Sequence, residues 1–294
     1  MSQNLRVLSM LHTRRSCRNR SYPYNNRMVP LNDISKIRNT LYSSTPKPKE
    51  KWFHYNDTRV EVVDKDTVAA ILEYRKQYSN VMAINMANRR HPGGGFKKGS
   101  RAQEEDLFRR TTLSCALTEG YDVKDVPKYP LEEFSYVIST NIESFRDSED
   151  RGFSYLESPV SCNIITAAAY NAGTSSQREE FVVVSDQNNK FTEEGWNRTA
   201  RNIYNILCCA AEFGAEVLIL SALGCGAFKN PPNEVAEMFK ELIQLFGGCF
   251  RVIVFAIMDA NDPMQKIQSN YTLFRKWIPN QNIAENKVLL KHIP

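Results

Sequence analysis

Three consecutive glycines, Gly93, Gly94 and Gly95, are followed after seven residues by Gln103, Glu104 and Glu105. Glycines carry no Cβ, so a stretch of backbone N–H groups is left bare and can form a nest for an anion. Two adjacent carboxylates at a helix start sit where the helix dipole favours negative charge. Alone, a glycine run reads as a flexible turn and a Gln-Glu-Glu as a solvated first turn. Together, between an apolar run (81–84) and a helix, they point to a pocket handling phosphate and sugar with an acid or base beside it. A second loop, Ser221-Ala222-Leu223-Gly224-Cys225-Gly226-Ala227-Phe228, follows the apolar run 217–220. Its glycines let amides close on a ligand, and the helix opened by Pro231 and Pro232 adds positive potential suited to a diphosphate.

Both loops need strands behind them and helices ahead. The pattern predicts a helical segment over 31–42, a loop at 46–49, a strand at 59–63 and a helix over 67–78 capped by Asp66. A strand at 80–86 feeds the glycines, and a helix over 103–119 follows. Residues 136–140 and 160–166 read as strands, 144–158 as a polar loop, and 172–192 as a loop or small insertion. Then come a helix over 193–213, a strand at 216–221, a helix over 233–246 and a buried strand at 250–257. Strands alternating with helices imply a largely parallel sheet covered on both faces. Ligands bind such sheets at the carboxyl ends of strands, so both glycine loops are expected on one rim.

The 294 residues suit one α/β domain with extensions, and 42% hydrophobic with 24% charged residues can build a full core. No run approaches the ~18 apolar residues of a transmembrane helix. Seven cysteines (Cys17, Cys115, Cys162, Cys208, Cys209, Cys225, Cys249) show no C-x-x-C spacing, which predicts reduced thiols and an intracellular protein. Cys225 has no histidine near it in sequence, which argues against a catalytic thiol. His12, His54, His91 and His292 have no ligand spacing, so no metal is expected. The first 30 residues hold six arginines and no acid, while the other 264 hold 32 basic and 33 acidic residues. That Arg-rich segment reads as an extension, with nucleic acid, a polyanionic polymer or an anionic membrane as its conceivable partners. Its composition also fits a mitochondrial transit peptide.

Gly-Gly-Gly, a short spacer and Gln-Glu-Glu resemble the signature of the poly(ADP-ribose) glycohydrolases, and Pro92 and Phe96 look like the microbial-type branch. Asn85-Met86-Ala87-Asn88 is similar to the Asn-x-Ala-Asn segment of macrodomains. The resemblance covers about 35–275 and includes 164–171, where Ala168 stands in place of the family's usual proline. It implies a macrodomain-like three-layer α/β/α fold with a mixed, largely parallel central sheet. Residues 31–294 would form the catalytic domain, with an N-terminal helical segment, and 1–30 a basic extension outside it.

The implied reaction is hydrolysis of ribose–ribose O-glycosidic bonds, which needs a proton for the leaving oxygen and a base for water. Neighbouring helical residues point about 100° apart, so Glu104 and Glu105 cannot flank one bond. One carboxylate must do both transfers, and by the resemblance it is Glu105. The resemblance gives Glu104 the ribose hydroxyls, Asn88 and Asn85 the ribose, and Gly93–Gly95 the diphosphate and distal ribose. Gln103 completes the motif. Ser221, Gly224, Cys225, Gly226, Ala227 and Phe228 would enclose the diphosphate, with Phe228 on the distal ribose. No cofactor is implied, and the expected partners are poly(ADP-ribose) or ADP-ribose and ADP-ribosylated proteins, met by a monomer. Two other readings remain open: an ADP-ribose reader without turnover, and a hydrolase of mono-ADP-ribosylated protein or nucleic acid.

Overall fold

The computed structural model describes residues 3–173, 184–185, 190–259 and 268–291. The segment expected as a loop or insertion over 172–192 falls largely outside them, as does His292. The chain divides into two compact units, residues 1–43 with 67–168, and residues 44–66 with 169–294.

In the first unit, α1 (Gln3–Asn19) and the hairpin β1 (Ser21–Tyr24) and β2 (Arg27–Pro30) precede β3 (Arg38–Tyr42). The N-terminal segment is thus folded: Ser9, Met10, Thr13, Ser16 and Cys17 of α1 are buried, and α1 packs on α3 (Gln103–Arg110). It is not set apart from the unit that carries the glutamates. The helix expected over 31–42 is one 3-10 turn, Ile34–Lys36, capped by Asp33, followed by β3. Pairing decides this, because β3 runs antiparallel to β6 (Tyr136–Arg146), with Asn39 Oδ1 accepting from Ser139 Oγ. Strand β6 outruns its expected span and pairs antiparallel with β7 (Tyr155–Ala168), which in turn lies parallel to β5 (Val81–Ala87). The polar stretch at 144–158 therefore contains strand ends on either side of the turn Glu149–Arg151.

Helix α2 (Thr67–Tyr74) and α3 both pack against β5, whose alternating faces are almost wholly buried, which explains its continuous apolar run. The helix expected over 103–119 breaks into α3 and α4 (Leu113–Leu117). At the break the Thr111 hydroxyl donates back to the Leu107 carbonyl (2.8 Å), and Thr112 exchanges hydrogen bonds with the Glu143 backbone of β6. Threonine side chains that bond local backbone compete with helix continuation.

In the second unit, β4 (Asp57–Val63) lies between β11 (Val252–Ala256), parallel, and β12 (Gln281–Ala284), antiparallel. Beyond β11 comes β10 (Val217–Leu220), also parallel. A two-residue pair, β8 (Val184–Ser185) with β9 (Lys190–Phe191), precedes α5 (Glu193–Phe213). Thr192 caps α5 by accepting from Gly195 N (3.0 Å), and Gly214 ends it in the left-handed region. Helix α6 (Pro232–Ile243) packs on α5 and α7 (Asn270–Trp277), and Phe239, Phe255 and Phe274 form one buried aromatic cluster.

Candidate active site

Strand β5 delivers Asn85 and, just past its end, Asn88 to the glycine loop of the first unit, and α3 begins on the loop's far side. Gln103 ties the two together. Its Oε1 accepts from Met86 N (2.9 Å), and its Nε2 donates to the Ile84 carbonyl (2.6 Å) and to Thr67 Oγ1 (3.1 Å). Both ends of this amide are engaged by protein, which fixes the start of α3 against β5. Asn88 Oδ1 accepts from the N–H groups of Arg90 and His91 (2.9 and 3.0 Å), a local turn that leaves its Nδ2 without an acceptor among the described residues.

The two glutamates are held differently. Glu104, 3% exposed, accepts Asn88 N on Oε2 (2.7 Å), and Gly93 N (3.0 Å) and Asn85 Nδ2 (3.4 Å) on Oε1. Burial pushes its carboxyl up to about 8, against the pull of these donors, and the neighbouring Glu105 charge adds to the rise. Glu105, 8% exposed, accepts Gly95 N on Oε1 (2.9 Å), and its second oxygen receives no hydrogen bond among the described residues. Gly94 N donates to the His91 carbonyl (3.0 Å).

The glycine amides expected to line a diphosphate are therefore committed to carboxylates and to the loop itself. Absence of Cβ is what permits it. A Cβ on Gly93 would lie 2.5 Å from the Phe108 ring, and one on Gly94 would lie 2.7 Å from Glu105 Oε1, both at positive φ. Asn85 is fully buried behind Glu104, with its Nδ2 also reaching Thr166 Oγ1 (3.4 Å). Glu104, with both oxygens facing these internal donors, joins residues 88 and 93 across the loop.

Helix α1 braces this loop from outside. Gln3 Nε2 donates to the Lys98 carbonyl (2.7 Å), and Arg6 Nε donates to the Gly99 carbonyl (2.7 Å) while its Nη1 pairs with Glu149 (2.8 Å). Arg109 Nη2 donates to the Ser100 carbonyl, and Thr13 Oγ1 to that of Arg109. No sequence motif marks these bonds. None marks Tyr129 either: its hydroxyl is buried without a partner among the described residues, and burial with the nearby Glu104 charge pushes it up. Leu131 N and the Arg89 carbonyl (2.8 Å), with Arg89 Nε and the Leu131 carbonyl (2.9 Å), pin its segment beside Asn88.

In the second unit the loop after β10 is closed by its own backbone. Cys225 N donates to Ala222, Lys229 N to Gly226 and Asn230 N to Gly224. Asn230 Nδ2 reaches the Tyr170 carbonyl (3.1 Å) and would collide with any Cβ on Gly224. Ser221 Oγ donates to the Ala256 carbonyl (2.8 Å), and the Phe228 carbonyl accepts Ala172 N (2.8 Å), leaving its ring half-buried. The N–H groups of Gly226, Ala227 and Phe228 have no acceptor among the described residues, so this loop offers the open amides. Burial pushes the Cys225 thiol up, and its Sγ sits 3.5 Å from the Leu223 carbonyl, a setting for an inert thiol.

Residues 12–147 match the family model described as microbial-type PARG, catalytic domain. A structure of poly(ADP-ribose) glycohydrolase from Thermomonospora curvata bound to the inhibitor ADP-HPD is 27% identical with a TM-score of 0.72, covering 92% of this chain and 98% of that one. The enzyme from Deinococcus radiodurans in complex with ADP-ribose is 27% identical with a TM-score of 0.66, covering 85% and 98%. No curated protein matches the chain. The matched segment holds the glycines, the Gln-Glu-Glu and both asparagines, and the structural likeness runs over most of the α/β fold: residues 12–147 are similar to the microbial-type PARG catalytic domain, and the chain as a whole to bacterial poly(ADP-ribose) glycohydrolases.

Proposed function

We propose that this glycohydrolase releases ADP-ribose from the ends of poly(ADP-ribose), with Glu105 as its single acid and base. The observation that carries the assignment is the one-sided hydrogen bonding of Glu105: an amide fixes Oε1 and leaves the other oxygen open at a nearly dry position. That oxygen, protonated, donates to the ribose oxygen of the departing unit as the anomeric carbon–oxygen bond breaks. The resulting carboxylate takes a proton from the water that adds to the oxocarbenium-like carbon, restoring the acid. Glu104 positions this step. By gripping the N–H groups of Asn88 and Gly93 it fixes the loop on which Glu105 rests, and Asn88 Nδ2, without an acceptor among the described residues, would donate to a ribose hydroxyl. In the second unit, the open amides of Gly226, Ala227 and Phe228 suit a diphosphate, and the Phe228 ring suits a ribose.

The test is incubation with poly(ADP-ribose) without added metal, quantifying free ADP-ribose for the wild type and Glu105→Gln. General acid–base groups are worth about 10²–10⁴ in rate, so the variant should lose at least two orders of magnitude while binding ADP-ribose as before. Equal turnover by the variant would remove Glu105 from the chemistry. No turnover by the wild type, with ADP-ribose binding intact, would make the protein a reader or a hydrolase of another ADP-ribosyl linkage.

A further inference from the structure

The two longest acid-free runs of the sequence are 1–32, with six arginines, and 74–103, with seven basic residues. The fold lays them together: the N-terminal end of α1 is bonded to the turn Phe96–Lys98 and its following glycine through Gln3 and Arg6. Several of their cations are answered from elsewhere. Arg6 and Arg101 face Glu149, Arg20 faces Asp33, and Arg27 faces Glu157. Lys97 and Lys98 on the turn, and Arg15 and Arg18 on α1, are exposed and have no acidic partner among the described residues.

Spacing places Leu8, Leu11, Arg15 and Arg18 on one outward stripe of α1. Leu8 and Leu11 are each 50% exposed. At about 1.5 Å per residue, the stripe runs roughly 15 Å from Leu8 to Arg18, and the turn is bonded to the helix end before it through Gln3. Cations lie at both ends and apolar side chains lie between them.

We propose that this stripe is a second binding surface for poly(ADP-ribose), holding units of the chain remote from the bond being cut. The complementarity is chemical. Each repeat brings a diphosphate with two negative charges, suited to Lys97, Lys98, Arg15 and Arg18, and an adenine whose flat faces suit Leu8 and Leu11. Single-stranded nucleic acid has similar chemistry, but the turn at this end of the helix follows the glycine loop that holds Glu104 and Glu105, which favours the enzyme's own polymer. The inference rests on the polymer-hydrolase reading above and adds a preference for long chains.

Binding by Glu105→Gln protein, which keeps the polymer intact, separates this surface from catalysis. Poly(ADP-ribose) of about twenty units and an oligomer of two units are titrated against Glu105→Gln with and without Arg15→Gln/Arg18→Gln, over a range of salt concentrations. With two fewer phosphates neutralised, the slope of log affinity on log salt for the long polymer should flatten by about 1.4. That is roughly a sevenfold smaller loss of affinity between 50 and 200 mM salt, while the two-unit oligomer should bind unchanged. An unaltered slope for the long polymer, or an equal change for the oligomer, overturns the proposal. So does a loss confined to single-stranded DNA, which would give the stripe to nucleic acid. Were the wild type to leave polymer uncut, the function assigned above would fall, and the binding comparison would still judge the stripe.

Discussion

A methyl group on Gly94 would stand 2.7 Å from Glu105 Oε1, on a backbone at φ +50°. Gly94→Ala therefore moves the carboxylate that the Gly95 amide holds in place. Misplacement of a catalytic group by about an ångström costs on the order of 10²-fold in rate. Steady-state kinetics on poly(ADP-ribose) should show a fall of that size in kcat with little change in KM, and a change confined to KM would contradict it. The residues of the motif are legible in the sequence as a set, because their types and spacing are unusual together. Their division of labour is not. Asn85 and Gln103 look like ligand-binding amides in a sequence, and only the fold turns them inward onto Glu104, Ile84 and Met86. The glycines read as open donors for phosphate, whereas two of their N–H groups hold the glutamates. Tyr129 lies 24 residues beyond Glu105 and carries no local pattern.

Among the elements, α1 departs furthest from its reading. An acid-free, Arg-rich N-terminus has the composition of an extension, yet its inner face of Ser9, Met10, Thr13, Ser16 and Cys17 is buried. Small and hydroxylated residues conceal that face from a hydrophobicity pattern. The helix matters through its hydrogen bonds to loop carbonyls. Arg6→Ala removes donors from the Gly99 carbonyl and the Glu149 carboxylate. Hydrogen bonds to charged groups contribute about 1.5–3 kcal/mol, so thermal unfolding should shift down accordingly. Because the turn it holds continues from the glycine loop, kcat should fall on short and long polymers alike. An unchanged kcat would limit α1 to a stabilising role. In the second unit β4, α5, β10, α6 and β11 are readable nearly to their ends, and α5 has a threonine cap, a terminal glycine and a clear apolar face, whereas α7 and β12 have no counterpart in the sequence pattern. The failures at 31–42 and 103–119 have one cause: pairing with β6 recruits Arg38–Tyr42 and Thr111 out of helical conformation.

For the whole molecule, the buried Glu104 ties stability to pH. Its carboxyl titrates near 8 when folded, against 4.5 as the ordinary value, so the folded state holds the proton more tightly. Stability is then greatest below the unfolded value and declines as pH rises towards 8, at about 1.4 kcal/mol per pH unit, levelling beyond. Between pH 5 and 8, denaturant unfolding of the wild type should lose a few kcal/mol relative to Glu104→Gln, and parallel profiles would refute the linkage. The two compact units are each assembled from separated stretches of chain, with consequences for anyone who would cut the protein down. A fragment ending where the family match ends, at residue 147, contains β4 but neither β11 nor β12, and β5 and β6 without β7. Every one of those strands would present bare hydrogen-bonding edges to other chains. The segment that best identifies the protein is therefore a template for aggregation when expressed alone.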